Sequence, residues 1–341
     1  MTSDSQLDFS RLLKAELHVH LEGSIWPGTV VELAARNGVK LSESEVAARY
    51  APGDFARFIE AYKWVTSFLR EPRDFALIAE RFCEYLLTQG VAYAEITLSV
   101  GVMLLRKQDP LANFEAIRAA AATFMPRGLR TNWIFDAARQ FGLAQAMEVS
   151  RIAAQVVDKG VVAYGIGGDE LAIPTKELLP VYEFARGAGL NLVIHAGEIG
   201  PASAVRDAVE ILGVARVGHG LASMHDESLL RMLAERNIPL EVCPTSNIRT
   251  GALAKQLAKP VREASLAEHP LKLFLERGVP VVLGSDDPAM FETSLLNEYA
   301  AAARLGVTAA QVSSLARAGF AYAFLSDADK RSYLEGAKSS S

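Results

Sequence analysis

Four of the six histidines in this 341-residue chain stand where an apolar run stops. His18 and His20 end Glu16-Leu17-His18-Val19-His20, His195 follows Leu192-Val193-Ile194, and His219 closes Arg216-Val217-Gly218-His219-Gly220. A fourth run, Pro280-Val281-Val282-Leu283-Gly284-Ser285, stops on the adjacent carboxylates Asp286 and Asp287. Two like charges at the end of a buried strand repel each other and lose water unless a cation compensates them. Histidines two apart on a strand share one face, so His18 and His20 can grip one ion. His195 and a carboxylate of the Asp286-Asp287 pair would complete a site of nitrogen and oxygen donors, which suits zinc, although iron and manganese accept the same donors. An HxH pair by itself is commonly a buried hydrogen-bonded pair. Four strand ends carrying such motifs together reverse that reading. A two-metal site usually wants a bridging group at the end of the fourth strand, but that strand ends Gly165-Ile166-Gly167-Gly168, so one ion is expected.

Placing these residues together requires a scaffold that brings strand ends to one rim. Eight apolar or β-branched runs are expected as strands: Ala15–His20, Ala92–Leu98, Thr131–Asp136, Val161–Gly167, Asn191–His195, Arg216–His219, Pro239–Cys243 and Pro280–Ser285. Helical stretches rich in alanine and charge separate them, for example Pro110–Phe124, Leu143–Val157 and Lys176–Ala188. Strict alternation of strand and helix over eight units predicts a single α/β domain, a (β/α)8 TIM barrel. Such barrels carry their chemistry at the C-terminal strand ends. Asp136, Gly168-Asp169-Glu170, Glu198 and Thr245-Ser246-Asn247 fall at that end with the histidines and Asp286-Asp287. Thr245, Ser246 and Asn247 are read as shaping the seventh loop. A helical insert over about 44–88 follows the first strand, where Phe55, Phe58, Ile59, Tyr62, Val65, Phe68 and Leu69 recur at helical spacing and Pro72 punctuates. The barrel domain is expected over 14–330, with a polar, disordered segment at 1–13 and a polar tail at 331–341.

Composition narrows the partners. The net charge is −5 and the basic residues are scattered, which argues against a nucleic-acid backbone as ligand. No stretch of ~18 apolar residues suggests a membrane span. Two isolated cysteines, Cys83 and Cys243, form neither a disulfide framework nor a metal knuckle. A cytoplasmic protein acting on a small molecule is expected; oligomeric state is not encoded in any motif.

His18-Val19-His20-Leu21-Glu22-Gly23-Ser24, His195-Ala196-Gly197-Glu198, Gly218-His219-Gly220, Cys243-Pro244-Thr245-Ser246-Asn247 and Ser285-Asp286-Asp287-Pro288 resemble the adenosine deaminase family, over about residues 14 to 325. The resemblance implies an eight-stranded barrel with one catalytic zinc ion held by His18, His20, His195 and Asp286. It implies Glu198 as proton donor to purine ring nitrogen 1, and His219 as the group that orients and deprotonates the attacking water. Asp287 would contact water and ring nitrogen 7, and the backbone at Gly168 would contact ring nitrogen 3. The ligand signature of the cytidine-type zinc deaminases is absent.

The motifs identify the reaction better than the substrate. Typical adenosine deaminases read His-Leu-Asp-Gly, with the Asp contacting the ribose 5′-hydroxyl; here the position is Glu22. Adenine deaminases usually carry a Ser-Ser-Glu segment after the fourth strand, where this chain has Gly168-Asp169-Glu170. Tyr62-Lys63-Trp64-Val65, Ala94-Glu95-Ile96-Thr97-Leu98-Ser99, Asp136-Ala137-Ala138-Arg139-Gln140-Phe141-Gly142 and Tyr164-Gly165-Ile166-Gly167-Gly168-Asp169-Glu170 are similar to bacterial aminodeoxyfutalosine deaminases of an alternative menaquinone pathway. Their substrate is an adenosine analogue with a benzoate-bearing group beyond the ribose. The expected wall and cation for that group are Phe55, Phe58, Tyr62 and Trp64 of the insert and Arg139 after the third strand. Single aromatics at helical spacing are more often core packing, and a lone arginine is as often a structural ion pair. Adenosine and then adenine are the competing substrates. A hydrolase of another amide or phosphoester, and a nucleoside-binding barrel without turnover, are the competing classes.

Overall fold

Runs buried on both faces need a second layer on each side, and the helices that alternate with them supply it. The structure is a computed structural model and describes residues 9–51 and 53–339. Its strands are β1 (Lys14–His20), β2 (Val91–Leu98), β3 (Arg130–Ala138), β4 (Val161–Gly167), β5 (Asn191–Ala196), β6 (Arg216–His219), β7 (Leu240–Val242) and β8 (Val281–Leu283). All pair in parallel and in chain order. Every residue of β1 and β2 is buried, as expected of barrel staves.

The last two strands are shorter than their apolar runs. Pro239 and Pro280 have no N–H to add to a ladder, Cys243 caps the helix Pro244–Arg249, and Asp286 turns into the left-handed region at φ 62°. The ring closes through a single bridge between Val19 and Asp286. Asp286 N donates to His18 O at 3.0 Å, and His20 N donates to Asp286 O at 2.8 Å. The seam of the barrel is therefore made by the backbone of three residues expected to bind metal.

The insert consists of three helices after α1 (Pro27–Arg36): α2 (Glu43–Arg49), α3 (Phe55–Thr66) and α4 (Pro72–Thr88). Each starts where its sequence supplies a partner for the free amides. Ser42 and Glu45 form a capping box on α2, Asp54 accepts from Arg57 N at 2.9 Å on α3, and Pro72 opens α4. The final helix, Asp327–Ser339, corrects the expectation of a polar tail at 331–341 as far as Ser339. Its Tyr333 stacks on Phe320 with ring centroids 4.9 Å apart, an anchor that the polar composition concealed. Residues 1–8 and 340–341 lie outside the described residues, and Phe9–Arg11, inside the segment expected to be disordered, forms a short helical turn. Cys83 and Cys243 are buried and unpaired. Among the described residues no helix is long and apolar enough to cross a membrane.

Candidate metal centre and active site

The ligand atoms of His18, His20, His195 and Asp286 all lie within 4.8 Å of one another. His20 Nε2 is 3.3 Å from both His195 Nε2 and Asp286 Oδ1, and His18 Nε2 is 3.5 Å from the same oxygen. His18 Nδ1 meets Glu241 Oε2 at 2.7 Å, whereas its Nε2 is buried without a hydrogen-bond partner. An imidazole tied through one nitrogen offers the lone pair of the other to an ion. Burial pushes His20 down to about 4 and His195 well below the ordinary histidine range, which favours the neutral ring a ligand needs, whereas on His18 the hydrogen bonds of Asp286 and Glu241 outweigh burial and raise it until an ion takes the place of its proton. The donor set fits one divalent ion. His18, His219 and Cys243 are also within 4.8 Å of one another, but burial pushes the Cys243 thiol up and keeps its proton on, so the carboxylate-bearing set is the better one.

Small neighbours make room for His18. A Cβ on Gly218 would fall 2.7 Å from His18 Cε1, and one on Gly284 2.7 Å from His18 Cβ. Beneath the site, Glu241 on β7 is bound by Arg216 on β6, which also binds Glu95 on β2. Burial alone would raise Glu241, but Arg216 and His18 overcome it and hold the carboxylate down to about 2. This buried charged layer fixes the orientation of His18.

Glu198 and His219 flank the ligands. Glu198 Oε2 is 3.7 Å from His219 Nε2, which is 4.0 Å from Asp286 Oδ2. His219 and Asp286 both have left-handed backbones, at φ 61° and 62°, a conformation that costs of order 1–3 kcal/mol and collects at functional sites. Burial, and then the charges of Asp286 and Glu170, raise Glu198 well above the usual carboxylate range, which favours its protonated form. Burial and Asp286 do the same to Asp287, whose Oδ1 is buried and unpartnered. The loop bearing Glu198 is clamped by Glu170, which accepts from Ile199 N at 3.1 Å and Gly200 N at 2.8 Å.

A cavity opens above this floor. Phe55, Phe58, Tyr62 and Phe141 form an apolar wall, and Gly168, Gln140 and Lys63 lie on its lining. Gly168 has φ +79°, and a Cβ there would lie 2.2 Å from Gln140 Oε1. Gln140 Oε1 in turn accepts from Asp169 N at 2.9 Å. Glu22 is buried behind the lining, accepting from Ser99 N at 3.1 Å and from the Tyr62 hydroxyl at 3.3 Å.

Trp64 and Arg139, expected to contact substrate, also lie off the cavity lining. Trp64 follows Tyr62 by two residues, about 200° around α3, and points away from the cavity. It packs edge-on against Phe68, with Arg49 4.9 Å from its ring. Arg139 is buried and braces backbone: Nη1 donates to Ile173 O at 2.9 Å and Nη2 to His195 O at 2.7 Å. Its charge ties the loop after β4 to the end of β5 and does not reach the cavity. The sequence reading also missed Glu241, Ser246 and Asn247 as site partners. Ser246 Oγ donates to Asp286 Oδ2 at 2.6 Å, and Asn247 contacts His219. A buried Glu in the middle of an apolar strand, at Leu240-Glu241-Val242, was the available signal for the first of them.

A family model described as adenosine deaminase matches residues 13–339. An aminodeoxyfutalosine deaminase of Streptomyces coelicolor is 40% identical over 324 residues, covering 92% of this chain and 80% of that protein. An adenine deaminase of Agrobacterium fabrum is 33% identical over 333 residues, covering 95% of this chain and 98% of that protein. Among solved structures, a zinc-bound amidohydrolase of Burkhoderia ambifaria matches with a TM-score of 0.88 at 25% identity, covering 97% of this chain and 91% of that one.

Proposed function

The chain belongs to the adenosine deaminase family, and we propose that it replaces the 6-amino group of 6-amino-6-deoxyfutalosine with the oxygen of water, releasing ammonia, as a step of menaquinone biosynthesis. The observation that carries the reaction is a buried Glu198 beside a four-ligand cluster at the base of an apolar cavity. His18, His20, His195 and Asp286 would hold one zinc ion. When bound, that ion supplies the Lewis acidity that makes water a nucleophile at neutral pH.

The remaining roles belong to the chain. Attack on the amino-bearing carbon is difficult while the ring keeps its electrons, so Glu198 gives its proton to ring nitrogen 1 and the ring accepts electron density. The backbone at Gly168 meets ring nitrogen 3, and Asp287, on the cavity lining, contacts the incoming water and ring nitrogen 7. His219 presents Nε2 to the same space and orients the water. Phe58 and Tyr62 cover the base and ribose and exclude solvent.

For the substrate, the 40% identity to an aminodeoxyfutalosine deaminase and the wall of Phe55, Phe58 and Phe141 support a group extending beyond the ribose. The cation that such a group needs is Lys63, the lone lysine or arginine among the described residues lining the cavity. Its ammonium rests on Glu60 at 2.7 Å and is half exposed, free to exchange that partner for a substrate carboxylate. Comparing kcat/KM for aminodeoxyfutalosine, adenosine and adenine on zinc-loaded enzyme tests the reading. A clear preference for aminodeoxyfutalosine is expected, and a preference for adenosine or adenine contradicts it.

A further inference from the structure

We propose that a buried relay, His269 to Asn247 to His219, fixes His219 as the Nε2–H tautomer, so that it meets the reacting water as a hydrogen-bond donor and leaves proton acceptance to a carboxylate. The inference rests on the deaminase reading for its chemistry, but the tautomer itself follows from geometry. Ring tautomers and amide orientations are assigned from the network around them, and this network has an end whose direction is fixed.

Leu271 N, the first amide of the helix Leu271–Glu276, lies 3.2 Å from His269 Nδ1. A backbone N–H only donates, so His269 Nδ1 carries the lone pair and a neutral ring carries its proton on Nε2. His269 Nε2 is 3.0 Å from Asn247 Oδ1, which accepts. The other end of that amide, Nδ2, is then a donor, and it lies 3.0 Å from His219 Nδ1. His219 Nδ1 must accept, which leaves the ring proton on Nε2. Turning the Asn247 amide over would set its N–H groups against the Nε2–H of His269, two donors face to face with no acceptor. His219, Asn247 and His269 are all buried, so water is not there to relieve such a clash.

The far side of His219 agrees independently. Its Nε2 faces two carboxylate oxygens, Glu198 Oε2 at 3.7 Å and Asp286 Oδ2 at 4.0 Å. A lone pair directed at the Asp286 carboxylate would be repelled, and an N–H is attracted. Asn247 and His269 do not line the cavity; they are positioning residues that act through His219. With Nε2 already protonated, His219 cannot take the proton of water. That task passes to Glu198, which lies on the cavity lining and becomes a carboxylate once it has given its proton to ring nitrogen 1.

The test is nitrogen NMR of zinc-loaded enzyme labelled with 15N in the histidine rings, with the His219 signals assigned by their loss in His219→Gln. The expected wild-type spectrum shows His219 with a bare Nδ1 and a protonated Nε2. In Asn247→Asp, a carboxylate accepts from both rings, and the His219 Nδ1 resonance moves into the protonated range. A wild-type His219 with a protonated Nδ1 overturns the proposal, and so does an Asn247→Asp spectrum in which Nδ1 stays bare. The wild-type spectrum decides alone if that variant does not fold. Because no substrate enters the measurement, a failed tautomer assignment is distinguishable from a failed substrate assignment.

Discussion

The floor of the site and its rim are built by different physics. On the floor, side chains project from strand ends whose spacing is set by ladder hydrogen bonds, and almost every polar atom has a partner. His18 leans on Glu241, Asp286 on Ser246, His219 on Asn247, and the seam between β1 and β8 passes through the ligands themselves. On the rim, one face of α3 and the loops after β3 and β4 supply contacts, and Lys63 is held by a single exposed ion pair. Substitutions on the floor should therefore abolish chemistry while leaving preference among substrates alone. Substitutions on the rim should do the reverse.

The largest effect is expected at Glu198. Glu198→Gln keeps the metal and loses turnover by about a thousandfold, within the range for a removed general acid. Full activity in a metal-replete Glu198→Gln enzyme would erase the distinction between floor and rim. Next comes Glu241→Gln, which removes the anionic partner of His18 without touching a ligand. Metal affinity should fall by about 10- to 100-fold, measured by competition with a chelator, and an unchanged affinity would show that the buried charged layer does not support the site. The smallest effect sharpens the rim. Lys63→Ala should lower kcat/KM for aminodeoxyfutalosine by about fivefold, as for loss of one exposed ion pair, with adenosine unaffected. Trp64→Ala, on the opposite face of α3, should move neither ratio, and a selective loss there would restore Trp64 to the substrate site.

The same contrast explains what could be read from the sequence. On a strand, side-chain direction alternates with period two, so His18-Val19-His20 and the ends of β5, β6 and β8 pointed to the cluster of His18, His20, His195 and Asp286 that the structure brings together. The eight-strand alternation located the barrel. On a helix, facing depends on an angle that sequence spacing gives only relative to neighbours. Phe58 and Tyr62 line the cavity, whereas Trp64, two residues on, faces the other way. Arg139 was misread for a different reason: a charge in a strand-end loop can turn inward to bond backbone carbonyls, and Ile173 and His195 are distant in sequence from it. Glu241 and Asn247 were missed because their partners are brought near only by barrel closure.

The central claim is that the strand ends form a metal site on which all chemistry depends. Elemental analysis of purified wild-type and His20→Ala protein, alongside turnover, tests it most directly. The expected result is one metal ion per wild-type chain, and loss of both metal and activity in His20→Ala. An unchanged metal stoichiometry in His20→Ala would contradict the ligand assignment and the account built on it.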